Sequence, residues 1–192
     1  MPKTTLSRRS ARPRIESAAR DLFGRRGIAA TTVGDIARRA GCSQAAIYKH
    51  WESKDALARR LFETGHQELI GAMDAERARW GEPSEQAIGA LLGFVRFSRA
   101  HPGPYALLFQ VFHSEYSRWL ARLRKPSDVL REAIEEGMKA GSIPPGEAAL
   151  KAALLLGMGI RLAMFERQNL IRSKPAEADA ELTEAAAGVL GV

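Results

Sequence analysis

Side chains that can contact DNA bases and phosphates are concentrated between positions 43 and 54. A glutamine amide can form two hydrogen bonds with adenine, and a small apolar side chain can contact the methyl group of thymine. Lysine, tyrosine and histidine can donate hydrogen bonds to phosphate oxygens beside a groove. These residue types at this close spacing favour contact with double-stranded DNA. The candidates are Ser43, Gln44, Ala45, Tyr48, Lys49, His50 and Lys54.

The charge is distributed unevenly along the chain. The 192 residues carry a net charge of +7. Residues 1–60 contain 14 Lys and Arg against 5 Asp and Glu, whereas residues 61–192 contain 15 against 17. Such segregation is typical of a head that binds a polyanion, joined to a near-neutral body. A solvated basic face has the same composition, so charge alone does not decide between the two.

Composition excludes several classes of protein. The single cysteine, Cys42, excludes an intrachain disulfide framework and fits a reducing compartment. The first residues lack the apolar segment of a secretory signal. The longest uncharged apolar run is the nine residues 152–160, whereas a membrane span needs about 20. We therefore expect a cytoplasmic protein with no membrane partner.

Apolar spacing predicts an all-α protein whose elements begin after a mobile basic arm, residues 1–13. A first amphipathic helix ends at Gly27. A second helix is capped by Thr32, with Asp35 as its capping-box partner, and ends at Gly41. A short third helix and a long fourth helix follow.

The second and third helices have the layout of a helix-turn-helix. The third helix is predicted over 44–50, directly after the glycine turn, and Ser53 is placed to cap a long helix over 54–80. In a helix-turn-helix the first helix braces a second one that lies in the major groove. The candidate DNA contacts all fall on or beside that second helix.

The same stretch resembles the DNA-binding head of the tetracycline-repressor (TetR) family. The matching strings are TTVGDIA at 31–37, AGCS at 40–43 and IYKHWESKDAL at 47–57, and the similarity extends over 14–62. The resemblance implies that Thr32, Tyr48, His50 and Lys54 contact the DNA backbone. It also implies that the groove-facing positions are Ser43, Gln44, Ala45 and Lys49.

Three residues depart from the family pattern. Ala45 stands where glycine is most frequent, and Lys49 stands where an aromatic residue is frequent. Both changes alter the chemistry of the groove-facing side, so an operator sequence cannot be transferred from the family. Trp51 replaces the usual phenylalanine and keeps an anchor for the core.

The rest of the chain is predicted to be helical as well. The resemblance divides the chain into a helix-turn-helix domain, 14–60, and a helical effector-binding and dimerisation domain, 61–192. Residues 113–124 are predicted to be helical, with no junction that can be placed. The remaining helices are predicted over 85–101, 105–112, 127–140, 147–169 and 177–190.

Aromatic side chains in the body indicate either a ligand pocket or an ordinary core. The helix over 85–101 is apolar on two faces, as a buried helix is. The family resemblance favours a pocket for a hydrophobic or aromatic effector, whose charge stays open. Glu115 and Glu166 are suited to a cation and Arg161 to an anion, and a solvated face is the alternative for each of them. The candidate ligand-binding residues are Phe94, Phe97, His101, Tyr105, Phe109, Phe112, Tyr116 and Met158.

The last two long helices have small-residue faces that favour a homodimer, although internal packing would use the same pattern. A helix-turn-helix head commonly works as a dimer that reads two half-sites. The expected function is thus a ligand-responsive repressor on a pseudo-palindromic operator, with a DNA-binding protein of filled core as the alternative. The candidate faces are Ala149, Ala152, Ala153, Leu156, Gly157, Ile160 and Ala163, and Ala178, Leu182, Ala185 and Val189.

An enzyme is the third class considered. Glu63 and His66 have the spacing of half of a di-iron site, which requires a second such pair and two further carboxylates. His50, His101 and His113 lack a glutamate three residues upstream. No glycine-rich phosphate loop or zinc motif occurs in the sequence. We therefore expect no enzymatic activity, no metal and no cofactor.

Overall fold

The computed structural model describes residues 11–112 and 115–192, without the side chains of Gln110, Phe112, Glu115 and Tyr116. Throughout these residues the regular structure is helical, which confirms the all-α prediction. The predicted basic arm lies mostly outside them. The helices are α1 (Ala11–Arg26), α2 (Val33–Ala40), α3 (Gln44–Tyr48), α4 (Lys54–Arg77), α5 (Pro83–Ala100), α6 (Pro102–Phe112), a 3₁₀ helix (Glu115–Leu120), α7 (Pro126–Ala140), α8 (Ala148–Arg167) and α9 (Pro175–Leu190).

The described residues group into two compact units. The first unit contains residues 11–65 and Gly103–Trp119. The second contains His66–Pro102 and Leu120–Val192. The boundary predicted between residues 60 and 61 falls near the first of these divisions. The segment that contains α6 groups with the N-terminal helices, which the sequence did not predict.

The first unit is built on the apolar stripe of α1. Ile15 and Phe23 of α1, Ile36 of α2 and Ile47 of α3 are each at most 1% exposed. These side chains recur at helical spacing, so each short helix presents one apolar face to a shared core. Because α2 and α3 are only eight and five residues long, this packing holds them in place far more than their intrinsic helix propensity.

Several helix boundaries differ from the predicted ones, among them the start of α6 and the end of α3. The prediction that α6 begins at Tyr105 is wrong, because it begins at Pro102. Pro102 and Pro104 occupy its first turn, where a missing N–H breaks no intrahelical hydrogen bond. The prediction that α3 continues to His50 is also wrong, because it ends at Tyr48.

The second unit is organised around α5, which is buried on nearly all sides, as its two apolar faces predict. Two glycines bring neighbouring helices close to one another. A Cβ atom added at Gly93 of α5 would lie 2.8 Å from the Ala72 carbonyl oxygen of α4. One added at Gly159 of α8 would lie 2.8 Å from Leu91 Cδ1 of α5. A larger residue at Gly93 would force α4 and α5 apart, because the contact is with backbone, whereas one at Gly159 would require the Leu91 side chain to move.

Helix α8 is unusual because it is strongly apolar and yet only a minority of its residues are buried. It has a mean hydropathy of 1.7, and only 28% of its apolar window is buried. Its length and composition alone would allow it to cross a membrane, which for a single helix is a weak indication. Leu150 and Leu154 are 54% and 50% exposed. Leu150 and Leu154 therefore form an exposed apolar face on this helix.

A buried histidine makes the stability of the second unit depend on pH. His66 is 3% exposed, and its Nε2 lies 2.9 Å from the Arg124 carbonyl oxygen. Burial lowers its pKa below the ordinary value of 6.5, against the opposing effect of that hydrogen bond. The unfolded chain thus binds a proton more readily than the folded chain. The stabilisation is complete above pH 6.5 and is lost as the pH falls through the lowered pKa.

Replacing His66 by glutamine should weaken this dependence on pH. A glutamine amide can still donate a hydrogen bond to the Arg124 carbonyl but does not titrate. We expect the free energy of unfolding of the wild type to fall more steeply between pH 7.5 and pH 5 than that of the variant. Urea denaturation at several pH values measures both slopes, and equal slopes would show that His66 does not cause the loss.

Candidate nucleic-acid interface

The start of α2 is fixed by the predicted capping box. The Thr32 hydroxyl oxygen accepts a hydrogen bond from the Asp35 N–H at 3.1 Å, and Asp35 Oδ2 accepts one from the Thr32 N–H at 3.1 Å. Gly41 then ends α2 with φ of 63°, a left-handed conformation that favours glycine. The chain therefore turns sharply after Ala40 into α3, as the sequence predicts.

Thr32 has a second bond that bears on its implied role as a DNA contact. Its hydroxyl donates a hydrogen bond to Asp35 Oδ2 at 2.6 Å. The hydrogen bonds from Thr32, together with the nearby charge of Arg38, hold the pKa of Asp35 below its usual value of 3.8. The Thr32 side chain is exposed, but its hydroxyl proton is engaged with Asp35 in this structure. Any phosphate contact by that proton requires the hydroxyl to rotate.

One face of α3 is anchored in the core and the other is exposed. Ser43 caps the helix, since its hydroxyl oxygen accepts a hydrogen bond from the Ala46 N–H at 3.2 Å. Ile47 is buried at 1% exposure. Tyr48 is 52% exposed, which excludes a core role for it. The exposed residues on and beside α3 are Ser43, Gln44, Ala45, Tyr48, Lys49 and His50.

The exit from α3 is held by an aromatic anchor that involves α1. Trp51 is buried at 8% exposure, and the His50 ring meets its ring edge-on at a centroid distance of 5.5 Å. The Arg12 guanidinium lies 5.7 Å from the centre of the Trp51 ring and also bonds Glu16 at 2.9 Å. Trp51 thus keeps its predicted role as an anchor. The contact from Arg12 was not predicted, because 39 residues separate the two in sequence.

Lys54 makes contacts that the sequence did not indicate. It is the first residue of α4 and is half-buried. Its Nζ donates hydrogen bonds to the carbonyl oxygens of Ile28 at 2.7 Å and Ala29 at 3.4 Å. These carbonyls belong to the loop between α1 and α2, so the ammonium is committed in part to the protein itself.

The candidate ligand-binding residues fall into both compact units. In the second unit Phe94 and Phe97 are buried, Met158 is half-buried and His101 is exposed. The Phe97 and His101 rings lie 4.8 Å apart. In the first unit Tyr105 is buried and Phe109 is half-buried. The side chains of the other two predicted residues, Phe112 and Tyr116, lie outside the described part of the structure.

The charged residues considered near the ligand have other contacts. The Arg99 Nε–H donates a bifurcated hydrogen bond to both carboxylate oxygens of Glu166, at 2.9 and 3.2 Å, and Arg99 Nη2 donates another at 2.7 Å. Arg161 is exposed and lies over the Phe165 ring at 5.0 Å. The side chain of Glu115 lies outside the described part of the structure. A cationic effector would therefore compete with Arg99 for Glu166.

The described residues of the first unit line at least two surface clefts. One of about 670 Å³ lies along α1 and the end of α2, and one of about 360 Å³ lies beside the start of α4. Neither is lined by a candidate ligand-binding residue.

In the di-iron motif considered above, Glu63 pairs with Arg59 at 2.8 Å. Among the described residues no group of three or more His, Cys, Asp or Glu is placed to hold a metal ion.

A short braced helix with an exposed polar and basic face, reached through a glycine turn, defines the first unit as a helix-turn-helix DNA-binding head. Residues 15–61 match the family model described as bacterial regulatory proteins, tetR family. The chain belongs to this family, as the resemblance predicts.

Similar proteins extend the match beyond the head. The HTH-type transcriptional regulator AcrR of Shigella flexneri is 32% identical over 165 residues, which cover 80% of this chain and 76% of that protein. An uncharacterized HTH-type transcriptional regulator of Mycobacterium tuberculosis is 30% identical over 92 residues. That match covers 48% of this chain and 46% of the relative, so the chain spans less than half of the length of the first relatives it matches.

Solved structures support the fold over nearly the whole chain. A TetR family transcription regulator from Marinobacter aquaeolei superposes with a TM-score of 0.79, at 21% identity, over 94% of this chain and 95% of that one. At this identity the likeness concerns the fold alone. It supports an N-terminal helix-turn-helix domain followed by a helical domain.

Proposed function

We propose that the protein is a transcriptional repressor that binds a pseudo-palindromic operator as a homodimer and is released by a small hydrophobic or aromatic effector. The observation that carries the DNA-binding part is the exposed face of α3, where Gln44, Ala45 and Lys49 project from a helix anchored by Ile47. Ser43, Tyr48 and His50 extend that face. The excess positive charge of residues 1–60 supports attraction to DNA.

The exposed face of α8 supports the homodimer. Leu150, Leu154 and Gly157 lie at spacings of three and four residues on one side of the helix, and all three are exposed. The two leucines supply apolar area, while Gly157 allows a second backbone to approach closely. A second copy of this chain accounts for such a face, and a two-fold dimer also provides the paired heads that an operator with two half-sites requires.

The predicted dimerisation face is wrong in part. Within the chain itself Ala152 and Ala163 of α8 are buried, at 2% and 1% exposure. Ala178 and Leu182 of α9 are buried as well. Because α8 is apolar on almost every side, its sequence pattern does not define which side faces inward. The exposed side contains Leu150 and Leu154, which were not predicted, together with Ala149, Ala153 and Gly157 of the predicted face.

We place the effector contact on α5 and α8 of the second unit. The supporting observation is the pairing of Phe97 with His101, which joins a buried ring to an exposed imidazole. Phe94 of α5 is buried and Met158 of α8 is half-buried, so a ligand that enters between these helices would meet both apolar side chains. An apolar surface with one polar group at its edge suits a hydrophobic ligand that carries a single hydrogen-bonding group. The ligand must bind the DNA-incompetent form more tightly, since equal affinity shifts no equilibrium.

Selection of bound sequences from random duplex DNA tests this proposal. The purified protein should enrich a sequence with two-fold symmetry, and its affinity should fall steeply as salt rises because phosphate contacts release counterions. The enriched duplex then becomes the probe for an effector screen, in which a ligand is recognised by the loss of DNA binding. Steeply salt-dependent binding with no enriched sequence would show that the head binds polyanions without reading a sequence.

Replacing Gln44 by alanine should change the preferred sequence rather than the salt dependence. Its amide is exposed at the start of α3 and carries no charge, so it can discriminate between bases without releasing counterions. We expect a loss of about 1–3 kcal/mol of discrimination at one operator position in each half-site. Repeating the selection with the variant measures this effect, and an unchanged preference at every position would remove Gln44 from the groove contacts.

A further inference from the structure

The first residue of α4 is bonded to a loop that lies more than 20 residues earlier in the chain. Lys54 Nζ donates to the Ile28 carbonyl oxygen at 2.7 Å and to the Ala29 carbonyl oxygen at 3.4 Å. The Ile28 side chain is buried at 3% exposure, so the loop is fixed from its other side by the core. An ammonium group has three donors, and two of them are directed at these carbonyls.

That loop leads directly into α2. The Ile28 carbonyl also accepts a hydrogen bond from the Thr31 N–H at 3.3 Å. Thr31 is buried at 1% exposure, and its hydroxyl donates to the Gly27 carbonyl at 2.8 Å. The next residue is Thr32, which caps α2. Two hydrogen bonds at the Ile28 carbonyl and the peptide bond from Thr31 to Thr32 therefore join the start of α4 to the start of α2.

We propose that Lys54 is a positioning residue that couples α4 to the helix-turn-helix through the loop between α1 and α2. A displacement of the start of α4 then pulls on the Ile28 carbonyl and through it on the cap of α2. Without this bond the start of α4 would act on the helix-turn-helix through residues 49–53 and through the packing of its buried side chains, such as Leu57 and Ala58. The proposal rests on the proposed DNA-binding function and gives Lys54 a role other than the phosphate contact that the family resemblance implies.

The two roles differ in what they do to salt dependence. A lysine that neutralises one phosphate contributes about 0.9 to the slope of log affinity against log salt. A lysine whose donors serve backbone carbonyls contributes little to that slope, because it releases no counterion on binding. Its loss instead loosens the loop and lowers affinity at every salt concentration. The salt slope of operator binding and the protection of the loop amides against hydrogen exchange therefore distinguish the two roles of Lys54.

The test compares Lys54→Met with Lys49→Met, which makes the same substitution at an exposed lysine five residues earlier. Methionine keeps an unbranched side chain and removes the charge and the donors. Amide hydrogen exchange of residues 28–32 is measured on the full chain without DNA. Affinity for the selected operator duplex is then measured across a salt series.

For Lys54→Met we expect about tenfold faster exchange at Thr31, the loss expected when a hydrogen bond from a charged group is removed. We also expect weaker operator binding with an unchanged salt slope. For Lys49→Met we expect unchanged exchange and a slope reduced by about one. A reduced slope with unchanged exchange in Lys54→Met would overturn the proposal and leave a phosphate contact.

A second variant, Lys54→Gln, is used if Lys54→Met does not fold. Lys54→Gln removes the charge but keeps an amide donor on a shorter side chain, so partial protection of Thr31 is expected from a positioning role. Exchange at wild-type rates together with a reduced slope would contradict that role. Exchange is measured without DNA, so it tests the coupling even if the wild type selects no symmetric sequence, an outcome that would count against the proposed function alone.

Discussion

Replacing Leu154 by glutamate is expected to convert the protein into a monomer and to abolish tight binding to a two-fold symmetric operator. Leu154 is 50% exposed on α8, one turn from Leu150, which is 54% exposed. In a dimer formed through this face the new carboxylate would be buried against an apolar surface, which costs several kcal/mol unless it finds a partner. Because Leu154 is already half exposed in the single chain, the fold of the monomer should be retained.

The loss of DNA binding should be larger than the loss of any single base contact. Two heads joined in one dimer bind their half-sites with an effective concentration that can raise affinity by about 10² to 10⁴ over one head alone. Analytical ultracentrifugation gives the oligomeric state. Titration of the selected operator duplex gives the affinity, and circular dichroism confirms that the helices remain folded.

Leu170→Glu is the matched control. Leu170 is 62% exposed and lies beyond the end of α8, so the same change adds the same charge outside the proposed interface. We expect this variant to stay dimeric and to bind the operator as the wild type does. If Leu154→Glu remains dimeric at micromolar concentration, or if both variants dissociate equally, α8 does not form the dimer interface through this face.

Features that depend on neighbouring residues in sequence were predictable in this chain. The capping box of Thr32 and Asp35 spans three residues, and Gly41 ends α2 as predicted. The stripe that includes Ile15 and Phe23 depends only on helical periodicity. The family motif added the order of these elements, so the helix-turn-helix could be placed from sequence alone.

The side of a uniformly apolar helix that faces inward was predicted only in part. Helix α8 was expected, but a helix whose residues are apolar on almost every side has no hydrophobic direction that selects the inward face. Leu150 and Leu154 were therefore missed, while Ala152 and Ala163 were assigned to the wrong surface. The start of α6 was missed for a related reason, since proline can either break a helix or begin one.

Contacts between distant residues were beyond the reach of sequence reasoning. Lys54 was assigned to the DNA backbone by resemblance, and its bond to the Ile28 carbonyl depends on how α4 packs near the end of α1. Glu166 was considered as a ligand for a cationic effector or as a solvated residue. In the structure it pairs with Arg99, which lies 67 residues earlier in the chain. Neither partner has a local signal that marks it.

Replacing Arg99 by methionine should destabilise the second unit more than the loss of an ordinary surface ion pair. Arg99 of α5 bonds Glu166 of α8 through Nε at 2.9 Å and Nη2 at 2.7 Å, and it bonds Asp179 of α9 at 2.5 Å. All three side chains are at most 20% exposed. Arg99 therefore holds α8 and α9 against α5 by charge-assisted hydrogen bonds in a partly dehydrated setting.

The other ion pairs determine which partner of Arg99 loses more stabilisation when Arg99 is replaced. Arg96 also bonds Asp179, at 2.9 Å, and it continues the network to Glu76 of α4 at 2.5 Å. Asp179 thus keeps a cation when Arg99 is lost, whereas Glu166 loses the guanidinium that holds it. Leaving a partly buried carboxylate unpaired is the main cost, and we expect a loss of about 2–3 kcal/mol in the free energy of unfolding. Urea denaturation followed by circular dichroism measures it.

Arg131→Met and a double variant separate this cost from other effects of the substitution. Arg131 pairs with Glu135 one turn away on α7, and both side chains are 40% exposed or more, so its loss should cost much less stability than the loss of Arg99. Adding Glu166→Gln to Arg99→Met should recover part of the stability, because the unpaired charge is removed. Equal losses from Arg99→Met and Arg131→Met, with no recovery in the double variant, would show that apolar packing alone holds α8 and α9 against α5.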